Sequence, residues 1–302
     1  MAAVKERVFV VGGGTMGRGI AALCAASGHP TLLYEADAVL RGSLRSAIEG
    51  SWERAAARGK LEPEVVNRGR ELLSIASALE EAAPADIVLE AIPESLGLKQ
   101  TLFADLDRLC SPEALLASNT SSLSISALAQ ATTRPGRVVG IHFFNPVASM
   151  PLVEIVRGAG TSPESAQRAV SFAESLGKKT VRVSDSPGFA TSRLGVALGL
   201  EAMRMVEEGI ASPEDIDRAM ELGYGHRMGP LKTSDLVGLD VRLSIAETLA
   251  AGLDRGRFEP PALLRQMVAE GRTGKKSGRG FYRWEGDTPV APGDRLTEKE
   301  EP

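Results

Sequence analysis

Cysteine is almost missing from these 302 residues: there are two, Cys24 and Cys110, and they form no metal-ligand spacing. That excludes a disulfide framework or a zinc ribbon and leaves two packed thiols in a reducing compartment. Aromatic residues make up 4% of the chain, and only three histidines occur, His29, His142 and His226. No apolar run reaches the roughly 18 residues that a membrane-spanning helix needs, so no membrane partner is expected. An excess of one charge is lacking too. With 35 Lys and Arg against 39 Asp and Glu, a net charge of −4 gives no footing for nucleic acid or an anionic lipid surface. The first apolar strand begins near Val8, which leaves no room for a targeting peptide and makes the cytoplasm the expected compartment. What is present is ordinary for a globular protein: 43% hydrophobic residues, 25% charged, and length for two domains.

Val8–Val11 is a continuous apolar run that stops at Gly12-Gly13-Gly14-Thr15-Met16-Gly17, and a helical pattern follows to Gly28. Strand, G-x-G-x-x-G and helix in that order predict a dinucleotide-binding unit. Gly12 permits the tight turn, Gly14 lets the backbone approach a pyrophosphate, and Gly17 lets helix and strand pack closely. The helix then opens at Thr15 and Met16, where unpaired N–H groups face the anion. A second strand, Thr31–Tyr34, ends at Glu35, where an acid reads a ribose 2′-hydroxyl. A carboxylate there repels a 2′-phosphate, and no arginine follows before Arg41. NAD is expected rather than NADP; FAD and a phosphate-free glycine turn are the alternatives.

Residues 38–73 read as two helices, an insertion relative to a minimal βαβαβ unit. Ser51, Arg54, Arg58 and Lys60 make its end basic and hydroxyl-bearing, which suits either a solvated face or a clamp for a phosphorylated ligand tail. The strand Asp86–Ile92 ends at Pro93-Glu94, before a helix over Leu96–Leu109 that carries Lys99. Another, Leu115–Ala117, ends at Ser118-Asn119-Thr120-Ser121-Ser122, before a helix from about Ser124. The apolar run from Val138 delivers His142 to its end, followed by Phe143-Phe144-Asn145-Pro146, and a second run, Leu152–Val156, carries Glu154. A carboxylate on a buried strand is costly unless paired, and His142 is the nearest titratable candidate in sequence. A carboxylate that orients an imidazole makes it a general base. The bland alternative is a core histidine with a strand-edge glutamate. Glu35, Glu94 and both turns fall at carboxyl ends of predicted strands, where open α/β sheets gather ligands.

A helix near Ser162–Leu176 and a strand, Thr180–Val183, lead to a break at Asp185–Gly188. Beyond it only helices are predicted: about Phe189–Glu208, Pro213–Leu222, Leu231–Leu236, Val241–Ala250 and Pro261–Gly271. The expected fold is an α/β Rossmann-type domain over 1–185 and an all-α domain over 186–302. Gly195, Ala197, Gly199 and Ala202 suit close helix packing, within the subunit or across a dimer. The glycine- and lysine-rich Gly271–Phe281 is a loop able to meet phosphate, and the polar stretch after Trp284 is expected to be poorly ordered.

These segments together resemble the L-3-hydroxyacyl-CoA dehydrogenase family, close to the bacterial 3-hydroxybutyryl-CoA dehydrogenases. The resemblance rests on Gly12–Gly17, Glu90-Ala91-Ile92-Pro93-Glu94, Ser118–Leu123, His142–Pro146, Pro187-Gly188-Phe189, Asp215-Ile216-Asp217, Met228-Gly229-Pro230, Asp235–Asp240 and Gly280-Phe281-Tyr282. It implies a Rossmann-type domain joined to a helical substrate domain that forms a homodimer. The implied activity is reversible, metal-free, NAD-dependent oxidation of a short-chain 3-hydroxyacyl-CoA in fatty acid metabolism. By the same resemblance His142 takes the 3-hydroxyl proton, Glu154 orients it, and Ser121 and Asn145 hydrogen-bond around the nicotinamide and the reacting oxygen. Glu94, Lys99 and, from the helical domain, Lys276 would contact the cofactor, and Glu35 its adenosine ribose. Ser51 and Arg58 fall where the family binds CoA, Arg58 in place of a lysine. Two departures stand out. Ser192 occupies the position of the family's Asn in Pro-Gly-Phe-x-x-Asn-Arg, near the substrate, and Ala148-Ser149-Met150-Pro151 replaces Pro-Val-Met-Lys. The rival substrates are an acyl-carrier-protein-bound or free hydroxyacid. A non-catalytic NAD-binding module is the rival of another class, and the joint presence of Ser121, His142, Asn145 and Glu154 argues against it.

Overall fold

The computed structural model describes residues 5–290. The chain divides into two compact units, Met1–Phe189 and Ala190–Pro302. The first unit alternates strands and helices: β1 (Val8–Val11), α1 (Thr15–Ala26), β2 (Thr31–Tyr34), α2 (Ala38–Ala57), α3 (Pro63–Leu72), β3 (Leu73–Ala76), β4 (Ile87–Glu90), α4 (Leu96–Leu109), β5 (Leu115–Ser118), α5 (Ile125–Ala129), β6 (Val138–Phe143), β7 (Leu152–Arg157), α6 (Pro163–Ser175) and β8 (Lys179–Ser184). One sheet joins all eight strands in the order β3-β2-β1-β4-β5-β6-β7-β8. From β3 to β6 the pairing is parallel; β7 runs antiparallel to β6, and β8 lies parallel to β7.

Every residue of β1, β4 and β5 is buried, as a parallel sheet covered on both faces requires. Alternate side chains serve the two faces. Val8 and Val10 join Ile20, Leu33 and Phe172 on one side, while Phe9 and Val11 join Phe103, Leu106 and Leu128 on the other. The chain leaves β1 for β2 on one side and returns to β4 on the other, so a crevice opens at the carboxyl ends of β1 and β4.

Two segments differ from the sequence expectation. Leu73–Ala76 ends the predicted helical insertion as the edge strand β3, paired with β2. Four residues of mixed polarity are too short to show a period, and only the neighbouring edge makes them a strand. In the second unit the helices are α7 (Thr191–Glu207), α8 (Pro213–Gly223), α9 (Pro230–Val237), α10 (Leu239–Gly252), α11 (Arg255–Phe258) and α12 (Ala262–Ala269). Beyond them a hairpin of β9 (Arg283–Glu285) and β10 (Thr288–Val290) takes up part of the stretch expected to lack structure. The remaining residues, 291–302, lie outside the described range. The approach to the hairpin is pinned by two aspartates with no exposed surface. Asp235 accepts hydrogen bonds from the N–H groups of Phe281 and Tyr282 and from the Trp284 indole, at 2.9, 2.9 and 3.0 Å. Asp217 accepts from the Tyr282 hydroxyl at 2.8 Å and from the N–H groups of Leu231 and Lys232. Burial pushes both carboxyl pKa values up against these donors. No helix among the described residues is long and apolar enough to cross a membrane.

Candidate active site

The crevice begins at the glycine turn. A side chain on Gly12, at φ +109°, would lie 2.6 Å from the Ala91 carbonyl oxygen, and one on Gly17 would lie 1.7 Å from the Gly12 oxygen. Both positions are closed to anything larger. Gly14 is the opposite case: a Cβ there would meet nothing within 4 Å, so the backbone is open to a ligand. Gly14 also caps α1 without a side-chain acceptor, which leaves the first-turn N–H groups uncapped. A cavity of about 770 Å³ spreads from this turn, lined among others by Gly12, Gly14, Thr15, Met16, Glu35 and Ile92. Glu35 accepts the Gly13 N–H at 2.7 Å and the Asp37 N–H at 3.0 Å. Its carboxylate therefore both fixes the glycine turn and borders the cavity. The Arg41 guanidinium is turned to the Glu35 carbonyl oxygen, at 2.6 Å.

A buried polar network supports the next two turns. Glu90, with no exposed surface, closes β4. It accepts from Lys99 Nζ at 2.5 Å, the Ile92 N–H at 2.7 Å and the Ser118 hydroxyl at 2.6 Å. Lys99 Nζ also reaches the Ile92 carbonyl and Glu94, each at 3.2 Å. Glu94 accepts in turn from the Thr120 hydroxyl at 2.5 Å and the Ser121 N–H at 3.1 Å. Lys99 thus ties Glu90 and Glu94 together: its side chain is 1% exposed, and its ammonium bonds both carboxylates and the Ile92 carbonyl.

β6 and β7 place His142 directly opposite Glu154, and His142 Nδ1 lies 2.8 Å from Glu154 Oε2. Glu154 has no exposed surface and the imidazole is 8% exposed. An ionised carboxylate only accepts, so Nδ1 carries the proton and Nε2 presents its lone pair. No described residue hydrogen-bonds to Nε2, and the Phe144 and Phe189 rings stand 4.4 and 6.0 Å from the imidazole. Phe189 holds a left-handed backbone, φ 50°, after Gly188. Asn119 Oδ1 accepts the Phe143 N–H at 2.8 Å and so ties the Ser118–Ser122 turn to the exit of β6. The Ser121 hydroxyl and the exposed Asn145 amide form no hydrogen bond with any described residue. Lys178, 7% exposed, donates to the carbonyls of Val147, Ala148 and Met150 at 2.6, 3.4 and 2.8 Å, bracing the loop that follows Asn145. Burial pushes its pKa down.

The remaining predicted residues lie apart from this cluster or in the second unit. Ser51, Arg54 and Arg58 follow one face at the end of α2, and Arg54, Arg58 and Lys60 form no ion pair among the described residues. The Ser51 hydroxyl donates to the Ile48 carbonyl at 2.7 Å. Ser192 lies in the first turn of α7, and Lys276 pairs with Asp240 at 2.6 Å. Glu90, Asn119 and Lys178 were not singled out from sequence. An acid closing an apolar strand and an Asx at a strand end were available signals for the first two. A buried lysine carries none, because lysine reads as surface.

Residues 7–186 match the family described as 3-hydroxyacyl-CoA dehydrogenase, NAD binding domain, and residues 188–284 match its C-terminal domain. A probable 3-hydroxybutyryl-CoA dehydrogenase of Bacillus subtilis is 44% identical over 94% of this chain and 99% of its own length. A 3-hydroxybutyryl-CoA dehydrogenase of Mycobacterium tuberculosis is 45% identical over 92% and 98%. The crystal structure of (S)-3-hydroxybutyryl-CoA dehydrogenase from Ralstonia eutropha superposes with a TM-score of 0.89 at 35% identity, covering 93% of this chain and 100% of that one.

Proposed function

The chain belongs to the 3-hydroxyacyl-CoA dehydrogenase family, and from that premise we propose that His142 is the general base of its reaction, with Glu154 as the group that orients and stabilises it. The enzyme is NAD-dependent and interconverts a 3-hydroxyacyl-CoA and the 3-ketoacyl-CoA, with short acyl chains favoured. The observation that carries the base assignment is the 2.8 Å contact between His142 Nδ1 and a fully buried carboxylate, which leaves Nε2 as a proton acceptor.

The glycine cradle fits NAD: it is closed at Gly12 and Gly17 and open at Gly14, beside an uncapped helix start. Gly12, Gly14, Thr15, Met16 and Gly17 would hold the pyrophosphate, and Glu35 the adenosine ribose. Glu94, Ser121 and Asn145 would hold the nicotinamide end. Bound NAD supplies the acceptor for the hydride from C3. His142 takes the hydroxyl proton at Nε2, and Glu154 offsets the charge that the imidazole gains. Ser121 and Asn145, whose side chains have no partner among the described residues, hydrogen-bond the reacting oxygen. Ser51 and the unpaired Arg58 meet the CoA phosphates, and Lys276 serves the cofactor from the helical domain.

That domain also carries Leu222 and Tyr224, 81% and 79% exposed, which suits self-association into a homodimer. The cytoplasm and fatty acid metabolism complete the proposal. Its test is NADH oxidation with acetoacetyl-CoA, followed at the nicotinamide absorbance, with free acetoacetate and NADPH as controls. Turnover confined to NADH and the CoA ester is expected. Equal turnover of free acetoacetate, or no effect of Arg58→Ala on the KM for the CoA ester, would refute the CoA clamp.

A further inference from the structure

The cavity of about 770 Å³ runs past the glycine turn and Glu35 to a face of α4 that has no role in the site so far. Leu98, Thr101, Leu102 and Asp105 all line it, and their spacing of i, i+3, i+4 and i+7 puts them on one side of that helix. Phe103 and Leu106, on the other side, are buried in the core. Leu98 is 56% exposed, although it borders a cavity that Leu40 and Ile92 also line. Apolar walls with a few polar groups among them suit a flat, largely apolar ring.

The two polar side chains on this face have only acceptors to offer. The Thr101 hydroxyl gives its one proton to the Gly97 carbonyl, at 3.0 Å, and keeps its lone pairs. The Asp105 carboxylate, 38% exposed, accepts from Arg108 on Oδ1, while Oδ2 has no partner among the described residues. A ring that meets this edge must donate to it. The cavity also fixes which part of the cofactor arrives there. The pyrophosphate belongs at Gly14 and the adenosine ribose at Glu35, so the base comes next, whereas Ser121, His142 and Asn145 lie outside the lining.

We propose that this face of α4 seats the adenine ring and that Asp105 is its specificity residue, accepting a hydrogen bond from the 6-amino group. Adenine has two N–H donors at that position. A 6-oxopurine has an acceptor there, which a carboxylate repels. A site built to accept from an amino group discriminates strongly against a base that lacks it, because the charged acceptor then goes unmatched. The assignment rests on the NAD dependence stated above and adds to it the reading of the base.

The test measures dissociation constants of the whole protein for NADH and for reduced nicotinamide hypoxanthine dinucleotide, by nicotinamide fluorescence. The two differ only in the purine, 6-amino against 6-oxo. Wild type is expected to bind NADH at least about tenfold more tightly. Asp105→Asn supplies an amide that can turn its NH₂ to the 6-oxo group, and should cut the preference below about threefold, chiefly by tighter binding of the hypoxanthine dinucleotide. A gain of that kind cannot come from damage to the fold. Glu35→Ala should weaken both dinucleotides alike, since they share the ribose. Equal wild-type affinities would overturn the proposal, as would an Asp105→Asn variant that weakens both and keeps the preference. Binding of neither dinucleotide would refute the NAD dependence and the proposal with it. The expected preferences without turnover of acetoacetyl-CoA would support the adenine assignment and refute the dehydrogenase activity alone.

Discussion

Replacing Lys99 with methionine separates two roles that the sequence alone does not distinguish. If Lys99 were a direct cofactor ligand, the loss would fall on NADH affinity and leave folding stability within about 0.5 kcal/mol of wild type, as for a surface substitution. The structure instead buries its ammonium against Glu90, Glu94 and the Ile92 carbonyl, with Glu90 itself fully enclosed. Removing one partner of a buried ion pair strands the other, at a cost of about 3–5 kcal/mol. Glu90 keeps the Ile92 N–H at 2.7 Å and the Ser118 hydroxyl at 2.6 Å, which places the expected loss near the lower end, about 3 kcal/mol. For a unit of this size that lowers the thermal midpoint by roughly 6–12 °C. Calorimetric unfolding and NADH titration of the same preparations measure both quantities. The double variant Lys99→Met, Glu90→Gln removes the stranded charge and should recover at least half of the lost stability. A stable Lys99→Met variant with weakened NADH binding would refute the buried-anchor account and support the direct contact.

Glu154→Gln keeps the shape of the side chain and removes its charge, so kcat should fall by about 10²–10⁴ while the protein stays folded; loss of fold would mark Glu154 as structural instead. Glu35→Ala removes the acceptor of the Gly13 N–H as well as a carboxylate beside the cavity. NADH affinity should drop about tenfold and the preference over NADPH should shrink, and an unchanged preference would contradict the ribose role. Asp107 provides a pH prediction. Burial alone would raise its carboxyl pKa, but the Thr133 hydroxyl and N–H and the Arg137 guanidinium outweigh it and hold the value at about 2, below the ordinary 3.8. Its stabilising effect is complete above the unfolded value and is lost as pH falls from about 5 towards 2, amounting to about 2 kcal/mol. Asp107→Asn should remove that part of the acid dependence of unfolding, and an unchanged pH profile would count against it.

Much of the first unit could be read in advance because its strands are uninterrupted apolar runs and its turns sit at their carboxyl ends. Gly12, Gly14 and Gly17 follow from backbone demands that only glycine meets, and the His142–Glu154 pair follows from the expense of a lone carboxylate on a buried strand. What escaped was tertiary in origin. Leu73–Ala76 is a strand only because β2 offers an edge, and the buried pairing of Lys99 with Glu90 stayed hidden because nothing local reveals that the two face each other. Lys178 and Arg242 are long cations that sequence assigns to the surface. Their burial depends on the three carbonyls after Pro146 in one case and on the missing side chain of Gly195 in the other.

The central claim is that His142 accepts the substrate proton, and His142→Gln tests it most directly. Steady-state kcat with acetoacetyl-CoA and NADH should fall by about 10³ or more, while the NADH dissociation constant stays within about twofold of wild type. A kcat near the wild-type value would contradict the assignment of His142 as the base.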